Sequence, residues 1–203
     1  CTAAAARGQT MPWPAYSEQL GYELELAVVI GRPAKCISAA QAPEHIFGCT
    51  IANDISARSV TFKEGRKARP WDEFFDWLGG KWSDAFLPMG PVLTTADEIP
   101  DPQNLNMTLK VNGELRQSSN TKNMIFPVNE IVSFLSHIMT LQPGDVIATG
   151  TPEGVGMADG RFLDEGDQIE AEIEHLGSLK NRIGPRPQEF YTPLKPANNN
   201  RNT

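Results

Sequence analysis

The sequence predicts an α+β fold built mostly of strands, on three observations. Residues 22–31, YELELAVVIG, alternate apolar and acidic side chains and then run into a β-branched block that stops at glycine, a strand signature. Asn112-Gly113 stands between the alternating runs 105–111 and 114–117 and marks a β-hairpin. At 130–139, Ile131, Phe134, Leu135, Ile138 and Met139 recur at helical spacing, which predicts an amphipathic helix with that stripe facing the core.

Residues 1–20 are rich in alanine, glycine and proline and read as an irregular approach to the first strand. Side chains two apart on a strand share a face, so Glu23 and Glu25 stand together, their Cα atoms roughly 6.5 to 7 Å apart. Two like charges that close cannot both stay ionised, if partly buried, without a cation or a proton between them. A divalent metal with oxygen ligands would answer that need. A solvated strand face is the plainer reading of this stretch taken alone.

Arg32-Pro33 is a turn, 38–47 a short helix complicated by Pro43, and 48–54 a second buried strand ending in polar residues. Between 56 and 82 the texture changes. Arg58, Lys63, Arg66, Lys67 and Arg69 precede Trp71, Phe74, Phe75, Trp77 and Trp82, which reads as a long loop used for packing, for an interface or to face a substrate. Residues 87–93 turn into a strand, and 97–103 are an acidic, proline-punctuated loop. His137 falls opposite the apolar stripe of its helix and reads as a surface histidine. Pro143-Gly144-Asp145 leads into a short strand at 146–149, and the small residues of 149–156, TGTPEGVG, leave backbone N–H groups open to an anion. In the last strand, 168–174, Glu170 and Glu172 alternate with Ile169, Ala171 and Ile173, so the alternation at Glu23 and Glu25 is not by itself specific. The tail is rich in proline, asparagine and arginine and reads as extended or disordered.

A chain of 203 residues can bury one substantial core, as one domain. Net charge is −7 and basic residues cluster only at 63–69, which excludes a nucleic-acid partner. An acidic protein that handles acidic substrates needs a local cation, which a bound metal would supply. Three cysteines without C-x-x-C spacing argue against a disulfide scaffold and against zinc, and suit a reducing, cytoplasmic setting. No run approaches 18 apolar residues, so no membrane-spanning helix is expected. The start, Cys1-Thr2-Ala3, lacks a charged-then-apolar leader and reads as a piece of a longer chain.

Taken together, 22–31 (YELELAVVIG), 51–58 (IANDISAR), 81–91 (KWSDAFLPMGP), 111–114 (VNGE), 120–126 (NTKNMIF) and 143–156 (PGDVIATGTPEGVG) resemble the fumarylacetoacetate hydrolase family, collinearly over roughly 20–182. The resemblance implies a mixed, strongly curved β-roll with few short helices. It implies a catalytic domain at 21–183, an irregular approach at 1–20 whose lid segment lies upstream, and a tail at 184–203. It also implies a homodimer. Glu23, Glu25 and Asp54 match the family's three metal-binding carboxylates, with Mg²⁺ expected first and Mn²⁺ or Ca²⁺ as alternatives. Lys81 matches the active-site lysine, Arg58 the arginine that orients the site, and Thr151, with Gly150 beside it, the threonine that contacts a substrate carboxylate. Asp84 is placed to fix Lys81.

The departures bear on the reaction. Ser59 and Thr61 stand where many members have aspartate and glutamine. Hydrolytic members carry a water-activating Glu–His pair ahead of the first metal-binding strand, whereas His45, His137 and His175 all follow Glu23, so either that segment is missing from this sequence or the protein lacks the water-activating base. Glu44-His45 lies inside the helix that leads to the second strand and reads as structural. The expected activity is metal-dependent hydrolysis of a C–C bond in a 2-oxo acid or β-dicarbonyl substrate of acylpyruvate type, through an enolate. Decarboxylation or keto–enol isomerisation of a related dicarboxylate comes second, and a non-catalytic binder of metal and acids third. Asp54 turned away from the Glu23/Glu25 face, or the trio engaged in ordinary ion pairs with arginine or lysine, would leave the enolate chemistry without a foundation.

Overall fold

The structure, a computed structural model, describes residues 3–59, 67 and 69–191. Expectations that fall on Thr61, on Lys63 and Arg66, and on the end of the tail lie outside the described residues. In chain order the strands are β1 (Ala4–Ala5), β2 (Thr10–Met11), β3 (Leu20–Gly21), β4 (Leu24–Ile30), β5 (Ile46–Asn53) and β6 (Ser56–Ala57). They continue as β7 (Leu87–Thr95), β8 (Asn106–Val111), β9 (Glu114–Asn120), β10 (Val146–Ala148), β11 (Gln168–Ile173) and β12 (Gly177–Ile183). The helices are α1 (Asp72–Gly79), α2 (Val128–Ile138) and the single turn α3 (Gly156–Asp159).

Apolar alternation on these strands builds two inner faces. Leu24, Leu26, Val28 and Ile30 of β4 belong to one buried cluster with Met107, Leu109 and Val111 of β8 and Ile169, Ala171 and Ile173 of β11. One sheet runs β1-β7-β5-β4-β10, the other β2-β12-β11-β8-β9, and β3 pairs with β6 in a ribbon of its own. Most pairings are antiparallel, while β1–β7 and β2–β12 are parallel, so both sheets are mixed. Register shifts at Val29/Ile30, Cys49/Ile51 and Leu109/Lys110 insert bulges, and bulges bend and twist a sheet. The result is the expected α+β architecture, a curled half-barrel with few helices.

The Asn112-Gly113 hairpin forms as its residues demand, with φ of 51° and 82° at the two turn positions. The helix expected at 38–47 is only a 3₁₀ turn, Ala42–His45, because Pro43 has no N–H to donate, and β5 begins at Ile46 instead. The expected inward stripe of α2 faces outward in part. Val128, Val132 and Ser136 are buried, Ile131 and Leu135 are half-buried, and Phe134 is 65% exposed, with Ile138 and Met139 also exposed. Serines set that rotation: Ser136 Oγ accepts from Ile37 N at 3.1 Å, and Ser133 Oγ donates to Ile37 O at 2.7 Å. His137 is exposed, as expected.

The 56–82 segment holds β6 and α1 rather than a plain loop. A further unexpected strand, β12, hides its alternation behind a buried polar residue, since Asn181 Nδ2 donates to Ala6 O and Gln9 O. After β12 the chain crosses back over the N-terminal segment, with the Arg186 guanidinium 4.2 Å from the Trp13 ring. No helix among the described residues is long and apolar enough to cross a membrane.

The join between α1 and β6 places the lysine that follows it. Ala57 N donates to Gly80 O at 2.8 Å, and a Cβ at position 80 would stand 2.1 Å from Ala57 O. Gly80 has ordinary right-handed dihedrals, φ −64° and ψ −10°, so space alone demands glycine there. Gly80→Ala is expected to cost about 1–3 kcal/mol. A lowered urea midpoint at unchanged m-value checks this.

Candidate functional site

Three carboxylates converge because of strand register. In the β4–β5 ladder Leu24 lies opposite Asn53 and Glu25 opposite Ala52. The pairing extends one step further, where Asp54 N donates to Glu23 O and Glu23 N donates to Asn53 Oδ1, both at 2.9 Å. Asp54 therefore faces Glu23, and Glu25, two residues along, shares their side of the sheet. One oxygen from each lies within 4.8 Å of the others.

Two cations sit among them. Glu23 Oε1 accepts from Arg58 Nη2 and from Ser56 Oγ, the latter at 3.3 Å. Lys81 Nζ donates to Glu23 Oε2 at 2.9 Å, to Asp54 Oδ2, and to Ser56 Oγ at 3.0 Å. Ser56 and Arg58 arrive through the β3–β6 ribbon, which pairs Ser56 with Gly21 just before Glu23. Asp84 is exposed, and the ammonium of Lys81 takes its partners from Glu23, Asp54 and Ser56 instead.

Glu25 is treated differently. It is 4% exposed, and its Oε2 accepts from Gly150 N at 2.7 Å. Burial pushes its pKa from the ordinary 4.5 to about 7 against the pull of that N–H, and the nearby Asp54 and Glu23 charges push it further. Burial also raises Asp54, opposed by Lys81. The anion awaiting the glycine-rich loop's N–H at Gly150, where φ is +97°, is thus a carboxylate of the chain itself.

The next residue, Thr151, has its hydroxyl engaged by Gln117 Nε2 at 2.9 Å. Gln117 is fully buried and also accepts from Leu24 N at 3.0 Å and donates to Pro152 O at 3.0 Å, tying the loop to β4. Asn53, Ser56, Gln117 and Trp77, whose ring lies near both cations, were not singled out as site residues from sequence. A glutamine at an inward position of a strand is the one signal that could have found Gln117. Glu44 and His45 lie in the 3₁₀ turn that enters β5, at the other end of that strand from Asp54, and Ser59 is half-buried after β6.

The donor set suits a hard divalent cation, since all three ligands are carboxylates. Among the described residues, with every group ionised, three carboxylates face two cations and one negative charge is left over. Glu23 and Asp54 are thus engaged by arginine and lysine, the arrangement expected to deny the enolate chemistry its foundation, while Glu25 carries no such pair among these residues and its charge is what a bound cation would answer.

Known proteins resemble this chain in sequence and fold. The family model for the fumarylacetoacetate (FAA) hydrolase C-terminal region matches residues 1–184. The oxaloacetate tautomerase FAHD2B, mitochondrial, of Bos taurus is 45% identical over 172 residues, covering 84% of this chain and 52% of that protein. The chain spans about half the length of the first curated relatives it matches. Among solved structures, the fumarylacetoacetate hydrolase of psychrophilic Exiguobacterium antarcticum superposes with a TM-score of 0.81 at 38% identity, over 91% of this chain and 64% of that one. A fumarylpyruvate hydrolase from Pseudomonas aeruginosa, in complex with Mn²⁺ and pyruvate, gives 0.79 at 32% identity, over 91% and 76%.

The raised pKa of Glu25 has a signature in stability. The folded chain holds a proton that the unfolded chain releases between roughly pH 4.5 and 7, so stability is greatest below that window and falls as pH rises through it. Asp54 adds to the fall in the same direction. Urea unfolding in EDTA across this range is expected to show a declining free energy, and Glu25→Gln should flatten the decline.

Proposed function

This chain belongs to the fumarylacetoacetate hydrolase family, and from that premise we propose that it is a divalent-metal-dependent enzyme that enolises a 2-oxo acid or β-dicarbonyl compound. The observation that carries the reading is the convergence of Glu23, Glu25 and Asp54 within 4.8 Å, with Lys81 among them. Keto–enol tautomerisation of a 2-oxo dicarboxylate is placed first, ahead of the C–C hydrolysis expected from sequence, because curated relatives of 42–45% identity are named oxaloacetate tautomerases. Hydrolysis of an acylpyruvate-type substrate stands second, favoured by the hydrolases among the solved structures.

In this reading Glu23, Glu25 and Asp54 hold the cation, Mg²⁺ or Mn²⁺, which supplies Lewis acidity towards the carbonyl when bound. Arg58 holds the Glu23 carboxylate in place, and Gly150 N holds that of Glu25. Lys81, half-buried at the edge of the cluster, offers its ammonium to the substrate carboxylate or to the oxyanion that enolisation develops. The Thr151 hydroxyl accepts from Gln117 and so keeps its own hydrogen to donate to an acid. We also propose a homodimer formed through the apolar surface where Phe126 and Phe134, both exposed, lie beside Ile131 and Leu135. Phe134→Asp is expected to yield a smaller species in sedimentation than the parent chain; equal sizes would exclude this surface.

Oxaloacetate tautomerisation and acylpyruvate cleavage, assayed with Mg²⁺ and Mn²⁺, test the catalytic reading. Turnover should vanish in EDTA and in Asp54→Ala, and Lys81→Met should lower kcat by roughly 10²–10³-fold. Turnover indifferent to both chelation and Asp54→Ala would remove the reading.

A further inference from the structure

Among the aromatic residues crowding 71–82, Trp77 is the one that reaches the cations of the site. Lys81 Nζ lies 5.5 Å from its ring centroid and the guanidinium carbon of Arg58 5.7 Å. Both fall inside the distance of about 6 Å at which the face of an indole attracts a cation. Trp77 is 46% exposed, so it is not held there as core, and the Phe74 ring lies 6.1 Å from its own, centroid to centroid. Trp77 sits one helical turn before Lys81, on α1, whose end is pressed against β6 at the Gly80–Ala57 contact. The backbone of Trp77 is thereby held near those of Lys81 and Arg58.

Lys81 is bonded to Glu23 Oε2 and Asp54 Oδ2, on two of the carboxylates that would take a divalent cation. A dication on that trio competes with the ammonium for its partners and repels it. What is left to hold Lys81 is Ser56 Oγ, at 3.0 Å, and the indole face. A carboxylate in place of Trp77 would hold the ammonium too, but it would also compete for the metal. An aromatic face attracts the ammonium without offering an oxygen. We propose that Trp77 is a positioning residue that keeps the Lys81 ammonium beside the cluster, available to an acid substrate, when a divalent cation occupies Glu23 and Asp54. This rests on the metal- and acid-binding reading above.

The test separates binding of the metal from binding of the acid. Calorimetric titration of the full chain with Mn²⁺, and then of the Mn²⁺-loaded chain with oxalate, is run on the parent, Trp77→Phe, Trp77→Leu, Lys81→Met and the Trp77→Leu/Lys81→Met pair. Mn²⁺ affinity should stay within about threefold of the parent in both Trp77 variants, because the ring touches no ligand oxygen. Oxalate affinity should fall about tenfold in Trp77→Leu and much less in Trp77→Phe, which keeps an aromatic face. In the Lys81→Met background Trp77→Leu should cost little more, the non-additivity expected of two residues acting as one. Equal losses in Phe and Leu, or full additivity with Lys81→Met, would mean that the ring only packs and would overturn the proposal. Should Trp77→Leu fail to fold, Trp77→Ala, which offers the ammonium neither a ring nor an oxygen, serves in the same cycle at this half-exposed position. A parent chain that takes up Mn²⁺ but not oxalate would remove the acid-binding reading and this proposal with it. Oxalate binding indifferent to Trp77→Leu removes only the role of Trp77.

Discussion

Like-charge convergence is the constraint around which this molecule is arranged. Glu23, Glu25 and Asp54 are brought within 4.8 Å of one another by the register of β4 and β5, in surroundings that bury them in whole or in part. Uncompensated, such a cluster would be expelled or would take up protons. The chain answers asymmetrically. Among the described residues, Glu23 and Asp54 share the ammonium of Lys81, Glu23 also takes the guanidinium of Arg58, and Glu25 is left with one backbone N–H. Glu25 alone has its pKa carried up to about 7. The same asymmetry suits a dication, which satisfies the least compensated carboxylate first.

The rest of the fold delivers partners to that cluster. The β3–β6 ribbon sets Ser56 and Arg58 beside Glu23, and Arg58 N donates to Gln19 O to close it. α1 ends on β6 through a contact that only glycine allows, which fixes Lys81 from the other side. Gln117, buried between β4 and the loop after β10, couples the backbone of Leu24 to Thr151 and Pro152. A buried amide with each end occupied holds a glycine-rich loop in one place, where Gly150 can reach Glu25. The anion-binding character of the loop and the acidity of the strand are thus two halves of one arrangement.

Particular elements show where local chemistry suffices and where it does not. Asn112-Gly113 forms its hairpin because few residues tolerate two successive positive φ angles. β4 follows from alternation, and residues 105–111 alternate as strongly and become β8. On α2 the periodicity was visible but its orientation was not. Apolar spacing marks a stripe, while Ser133 and Ser136, bonded to residues 36 and 37, decide how the helix lies on the sheet. β12 was illegible because one of its inward positions is Asn181, whose amide is satisfied by backbone 172 and 175 residues away in sequence. α1 was missed because its aromatic and aspartate residues are weak helix formers and its support comes from β6.

By itself the sequence determined the strand alternation, the hairpin, the acidic pair on one strand face and, through its ordered motifs, the family and the identity of the carboxylates. All of these depend on spacing along the chain, which short-range sterics and side-chain periodicity translate directly into structure. The third carboxylate's position opposite Glu23, the sharing of Lys81 between two acids, the buried tie through Gln117 and the indole beside both cations were decided only in three dimensions. The first three join groups 27 to 93 residues apart, and the indole, only four residues from Lys81, meets Arg58 nineteen residues away; contacts between separate elements exist only once sheet register and helix docking have set the distance.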